Sequence, residues 1–350
     1  MKFKTAISAT RTALASAAIL ALASAGTATP ASAQAAESFF KGRTVTVIVG
    51  FGAGGGYANY CRQLTQYWSE HTPGKPNFIC QYMPGGGGVL AANYLANVAP
   101  SDGSVLGMIS DYAALAQLLE PEKVKYDIRK FKWAGVMVPA NPVMMVRKGA
   151  RAQKFEDIYQ TEMVVGLVGM LAQDGINTRL INNVLGTKMK GVAGYDATAK
   201  IALAMESGEV DASLSSWISW KTRAQSQMAS GQFIPMFQIG FKKAWDLPDL
   251  PLIRDQAKSE DDRKLLDLGA GSAPFGRSVM VPPGYPPHLL AALREAFHAT
   301  MKDKAFLDSA KEKNIEIDPS PGEDLEPIVA GIMSTPPALV ERFREAAGIK

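Results

Sequence analysis

The stretch Thr44–Leu64, TVTVIVGFGAGGGYANYCRQL, constrains this chain more than any other. An apolar β-branched run comes first, then a loop holding Gly50, Gly52, Gly54, Gly55 and Gly56, then a segment with apolar residues at helical spacing. Strand, glycine loop and helix in that order aim backbone N–H groups, and the positive end of the helix dipole, at the space above the strand's carboxyl end. Such a place takes an anion. A loop poor in Cβ atoms lets that anion reach the main chain and can adopt φ > 0.

The N-terminus indicates the compartment. Residues 1–35 carry Lys2, Lys4 and Arg11, an apolar run from Ala13 to Ala25, and then Ala31, Ser32 and Ala33. That order reads as a secretory signal peptide, with cleavage expected after Ala33 or Ala35, and the apolar run is too short to span a bilayer. No cysteine sits there to carry a lipid. The mature chain is therefore expected to be a soluble, exported, periplasmic protein. Cleavage removes three of the 37 Lys and Arg residues and none of the 33 Asp and Glu, leaving 34 basic residues against 33 acidic ones. Near-neutral charge gives no footprint for nucleic acid. Roughly 315 residues exceed what one core usually supports, so two lobes are expected.

The two cysteines, Cys61 and Cys80, bracket one local unit. An oxidising compartment permits a disulfide between them, and two small buried thiols is the alternative. His71, His288 and His298 are scattered without metal-ligand spacing, so no metal site is expected.

Further along, Asn77–Tyr82 reads as a second strand, and MPGGGG (83–88) leads into a helix with Leu90, Tyr94, Leu95 and Val98 at helical spacing. This second glycine run is either a tight packing turn or a ligand contact. A third strand ends at Ser110, and Tyr112–Leu119 is helical. WAGVMVPANPVMMVRKG gives two strands broken by Pro139 and Pro142, a break that suits a crossing between lobes. Strands follow at 162–170, 190–192, 209–214 and 233–239. A loop and helix are expected over 171–185, further helices at 195–207, 261–268, 288–301, 304–313 and 324–333, and SVMVPPG (278–284) is a strand that returns to the first lobe. Strands alternating with helices argue an α/β fold of parallel-type sheets in two lobes.

Two enzymatic readings are weaker. Gly50, Gly52 and Gly55 satisfy G-x-G-x-x-G, but a dinucleotide oxidoreductase also needs an acidic residue ending the second strand, which here ends Cys80-Gln81-Tyr82. An exported chain also has little access to a soluble nicotinamide cofactor, so no cofactor is expected. No G-x-S-x-G elbow is present, and Asp261 with Asp262 reads as the solvated face of a charged helix, so no residue is assigned a catalytic role.

Four blocks carry a resemblance: GFGAGGGYANYCRQL, PGKPNFICQYMPGGGG with AANYLANVAPSDGSVLG, GYDATAKIALAMESGEVDASL, and the closing VMVPPGYPPHLLAALREAF. Together they resemble the Bug family, the extracytoplasmic receptors of tripartite tricarboxylate transporters. The resemblance implies a two-lobed, type II-like periplasmic binding protein, each lobe a mixed sheet flanked by helices, with the ligand cleft between. It implies lobe 1 over 36–139 plus 273–350 and lobe 2 over 140–272. It also implies a monomer that hands a small organic acid to membrane permease subunits; presenting that ligand to a membrane sensor is the alternative. Carried onto this sequence, the ligand-binding residues are Phe51, Ala53, Gly54, Gly55, Gly56 and Tyr57 in the first loop, Ser110, then Gly166, Val168, Gly169 and Met170 in a second loop, with Ser215 and Trp217. The two loops are expected to hold the ligand carboxylate through main-chain N–H groups, with no arginine required. The chain departs from the family at Ala58, where an aspartate is usual, at Val168, Met170 and Leu171 in a loop usually rich in serine and glycine, and at Ser215 and Ser216. These departures point to a carboxylate with an apolar or aromatic body, walled by Phe51, Tyr57 and Trp217. Closure of the two lobes on it is expected to be absorbed by the strands near Val143 and Val279.

Overall fold

Five runs rich in apolar residues and a short sixth strand, Ser320–Pro321, pair into one sheet, and five strands into another. In the first, β1 (Thr44–Val49), β2 (Asn77–Tyr82), β3 (Val105–Met108), β4 (Lys132–Val136), β10 (Ser278–Val281) and β11 (Ser320–Pro321) take the order β11-β4-β10-β3-β1-β2. In the second, β5 (Pro142–Arg147), β6 (Met163–Leu167), β7 (Met189–Ala193), β8 (Ala212–Ser216) and β9 (Phe233–Gln238) take the order β7-β6-β8-β5-β9. This computed structural model describes residues 31–349 apart from 55, 171, 196 and 197. The first thirty residues of the expected leader, and Gly55, therefore lie outside the described residues.

Both sheets are mixed. β1 pairs in parallel with β2 and β3, and β6 with β7 and β8, through helical crossovers. Antiparallel pairs arise where the chain arrives from the other sheet: β10 against β3 and β4, and β5 against β8 and β9. The Pro139 and Pro142 break is a crossing, since β4 and β5, on either side of it, belong to different sheets.

Packing around the glycine-loop helix shows why the first sheet holds. In Gly56–His71 the buried residues include Tyr57, Tyr60, Cys61, Leu64 and Trp68, an i, i+3, i+4 stripe laid on the sheet. Trp68 is fully buried, stacked on Phe78 of β2 at 4.6 Å and edge-on to Phe297 at 6.2 Å. Truncating so large a core ring costs about 3–5 kcal/mol. Cys61 and Cys80 are disulfide-bonded, tying the same helix to β2.

Three expectations shift. The strand expected at 209–214 runs 212–216, because Glu209 and Val210 close the preceding helix by donating to the Ala204 carbonyl. Asp211 instead caps the strand, accepting from Arg147 Nη2 at 2.7 Å and from the Val164 N–H at 3.1 Å. In helix Val89–Asn97, Ala91, Ala92 and Leu95 are buried, while Leu90 and Val98 are exposed. A Cβ on Gly107 of β3 would lie 2.1 Å from Leu95, so this face packs too closely for more large side chains. Finally, helices Trp217–Arg223 and Pro337–Ala347 add to those expected, and the latter packs on helices Gln173–Leu185 and Glu260–Ala270 beside the second sheet.

Candidate functional site

Two segments cross between the sheets side by side. The Met137 N–H donates to the Arg277 carbonyl, the Arg277 N–H to Val138 and the Ala140 N–H to Ala273, each at 2.9 Å. Gly276 makes this approach feasible: at φ +27° a Cβ there would lie 2.0 Å from the Val138 carbonyl oxygen. Beside this crossing, between the sheets, is a cleft of about 780 Å³. Its walls come from the segments that follow β1, β2 and β3 on one side, and from the segment after β6 and the last residues of β8 on the other. That is the carboxyl end of the parallel strands, where ligands of open α/β sheets bind.

The strongest group in the cleft is Arg277, which sequence reasoning did not select. It is 5 % exposed and lines the cleft. Its guanidinium lies 4.0 Å from the centre of the Tyr57 ring, and Nη1 is 3.8 Å from Asp111 Oδ2, beyond hydrogen-bond range. Nη1 donates at 3.3 Å to the Gly276 carbonyl, while Nε has no partner among the described residues. A buried guanidinium donor left unpaired is expensive unless something else accepts from it. The N-terminus of helix Gly56–His71 adds to the same positive field, since a Cβ on Gly56 would be 3.8 Å from Arg277 Nη2. Two further cleft-lining residues each carry a buried polar atom with no partner among the described residues: Tyr112 Oη and Asn177 Nδ2.

Burial pushes the Asp111 carboxyl above the ordinary carboxylate range, and Arg277 holds that rise back. Burial also raises the Tyr57 and Tyr112 phenols, so both remain protonated donors at neutral pH. The Tyr57 oxygen accepts the Asp111 N–H at 3.0 Å.

Among the described residues, the left-handed glycines of these two runs belong to the second. Gly86, Gly87 and Gly88 line the cleft with φ of +54°, +63° and +97°, leading straight into helix Val89–Asn97. At Gly88 a Cβ would meet Ser110 Cβ at 2.8 Å and Phe51 Cζ at 3.6 Å. This run is thus both a packing turn and a cleft wall. In the first run, Gly52 and Gly54 are exposed, neither has positive φ, and a Cβ on either would meet open space.

Across the cleft, the loop after β6 is held by a side chain. Asp174, in the first turn of helix Gln173–Leu185, accepts the Val168 N–H at 2.6 Å through Oδ2 and its own neighbour's, Gly175, at 2.9 Å through Oδ1. Burial raises its pKa, and the N–H groups of Val168, Gly175 and Gly169 oppose the rise. The amides expected to hold a ligand carboxylate therefore already hold an internal one.

The expected site residues divide accordingly. Phe51 and Tyr57, stacked at 4.4 Å, line the cleft together with Ser110, Val168 and Ser215. Ala53, Gly54 and Gly56 sit in and just after the first loop without lining it, and the Ala53 carbonyl accepts from Arg62 at 3.0 Å. Gly166 faces the core, where a Cβ would be 2.5 Å from Ile201. Gly169 and Met170 are in the loop but off the cleft wall, and the Met170 carbonyl accepts from Arg179 at 2.7 Å. Trp217 faces the other way. Its Nε1 donates to Asp246 at 2.9 Å and it lines a second cavity, of about 800 Å³, with Val138, Pro139 and Asn141. Ala140 and Pro142, alternating with those residues, line the cleft instead.

Among solved structures, a TctC solute binding protein from Polaromonas superposes with a TM-score of 0.66 at 16% identity, covering 88% of this chain and 98% of its own. The periplasmic binding protein BugD gives 0.62 at 19%, covering 89% and 99%. This chain has the TctC and BugD fold. Rpa4515 from R. palustris, solved with adipate, shares that fold at a TM-score of 0.63 and 19% identity, covering 88% of this chain and 98% of its own. No protein-family model and no curated protein matches the sequence. Among the described residues, no helix is long and apolar enough to cross a membrane.

Proposed function

We propose that this protein is a periplasmic receptor that closes two lobes on a small organic carboxylate and delivers it to the permease of a tripartite tricarboxylate-type transporter. The observation that carries the reading is Arg277, a buried guanidinium with an unpartnered Nε on the wall of a cleft between two sheets. A carboxylate accepting from Arg277 gains charge-assisted hydrogen bonds and relieves that unmet donor. The volume suits a small ligand with room for lobe closure, and Phe51, Tyr57, Val89 and Leu214 supply apolar wall for its body. Adipate in Rpa4515, which has the same fold, supports an organic acid as the ligand class. The lobes divide where the chain crosses, at 137–141 and 273–277, and rotation is absorbed there, a few residues from Val143 and Val279.

Native mass spectrometry of protein freshly purified from a periplasm tests this. A co-purified organic acid of one defined mass, displaced by excess benzoate or hexanoate, supports the reading. An empty protein to which neither those acids nor citrate binds in calorimetry overturns it.

A further inference from the structure

Five charged side chains line the cleft: Arg277 and Lys123, and Asp111, Glu120 and Asp174. Glu120 and Lys123 are paired with each other, and Arg277 faces Asp111. No cation is paired with Asp174 among the described residues, so it supplies the wall's uncompensated negative charge. Oδ2 takes the Val168 N–H and Oδ1 the Gly175 N–H, and the Gly169 N–H also acts on this carboxylate, which can accept about four hydrogen bonds. One turn along the same helix, the cleft-lining residue Asn177, 2 % exposed, has a buried Nδ2 with no partner among the described residues. An acceptor and a donor thus stand together on the far wall from Arg277.

We propose that Asp174 sets specificity by filling the far-wall amide cradle itself, so that the cleft admits acids with one carboxylate and a hydroxyl at the far end, and rejects diacids. This rests on the receptor reading above and narrows its ligand class. The carboxylate goes to Arg277. At the other end, a hydroxyl donates to Asp174 and accepts from Asn177, satisfying both. A second carboxylate would face Asp174 at close range with the nearest amides already taken, and like charges at a desolvated site repel strongly.

Isothermal titration with two matched series tests this: hexanoate, 6-hydroxyhexanoate and adipate, and benzoate, 4-hydroxybenzoate and terephthalate. In the series that fits, the hydroxy acid binds tightest, and the diacid at least tenfold more weakly than the unsubstituted acid. Asp174→Ala vacates the cradle and raises diacid affinity tenfold or more while weakening the hydroxy acid. Asp174→Asn removes the charge but keeps an acceptor for the loop; should the alanine variant melt early, the same reversal of order is expected from it. Wild-type protein that binds adipate or terephthalate as tightly as the monoacids overturns the inference and leaves the receptor standing, as does a diacid penalty unchanged in a folded Asp174→Asn. Failure to bind any of the six acids removes both readings.

Discussion

Replacing Arg277 with glutamine should separate binding from folding in a measurable way. The lost interaction is a charge-assisted hydrogen bond between a buried guanidinium and the ligand carboxylate, worth about 1.5–3 kcal/mol, and roughly twice that if two parallel bonds form. At 1.4 kcal/mol per factor of ten, affinity should fall by about 10-fold to more than 100-fold. Stability should fall as well, because the ring contact with Tyr57 is lost and Asp111 keeps its burial without its cation. Breaking a buried pair costs about 3–5 kcal/mol, and the 3.8 Å separation puts this one at the low end. The stability loss has a pH signature. Without Arg277, burial of Asp111 is opposed only by its hydrogen bonds to Tyr57 and to the Asp111 and Tyr112 N–H groups, so its pKa rises further and the folded state holds that proton more tightly than the unfolded chain. Its favourable contribution is complete at low pH and vanishes as pH rises through the folded value. The deficit of Arg277→Gln should therefore be larger at pH 8 than at pH 5. Calorimetric titration with a monocarboxylate gives the binding change, and urea denaturation at the two pH values gives the other. A folded variant that binds the acid with wild-type Kd refutes the assignment of Arg277.

Other outcomes follow from the same contacts. Cys61→Ala with Cys80→Ala should cost about 3 kcal/mol, the chain-entropy value for a loop of this size, read as a lower urea midpoint that matches wild type in reductant. Gly88→Ala forces a Cβ into a left-handed position 2.8 Å from Ser110 and should cost about 2 kcal/mol in denaturation while weakening acid binding, since the displaced run forms the cleft wall. Asp174 is held above the ordinary carboxylate range by burial, so wild-type stability should decline as pH rises from about 4 through its folded value. Asp174→Asn should flatten that part of a melting-temperature profile, and an unchanged slope would count against an ionised, buried Asp174.

Strands were legible because this sequence writes them as short contiguous runs of β-branched or aromatic residues: TVTVIV and NFICQY begin and end where their strands do. The lobe crossing was legible from Pro139 and Pro142, which interrupt an otherwise continuous apolar run. Helix Pro337–Ala347 carried signals that could have found it, a proline at its first position and left-handed Gly348 at its end. Helix Trp217–Arg223 was obscured because it starts directly after β8, with the Ser216 hydroxyl capping the Ser219 N–H and no loop between.

The site was less legible for a physical reason. Phe51 and Tyr57 are near the glycine loop in sequence, so strand-loop-helix logic reaches them. Arg277 is more than two hundred residues away and is brought to Tyr57 only by the second crossing between sheets. Asp174 looks like an ordinary acidic residue in a helix's first turn, and only the folded loop shows its carboxylate holding the Val168 amide. Glycine content also misled: Gly52 and Gly54 of the first run are exposed without positive φ, while left-handed conformations fall at 85–88.

The most direct measurement is a crystal structure of the protein with a bound monocarboxylate such as 4-hydroxybenzoate or 6-hydroxyhexanoate. The account expects the carboxylate within hydrogen-bond distance of Arg277, between the sheets and beside Tyr57. Density for the acid instead in the second cavity by Trp217, with Arg277 still unpartnered, would contradict it.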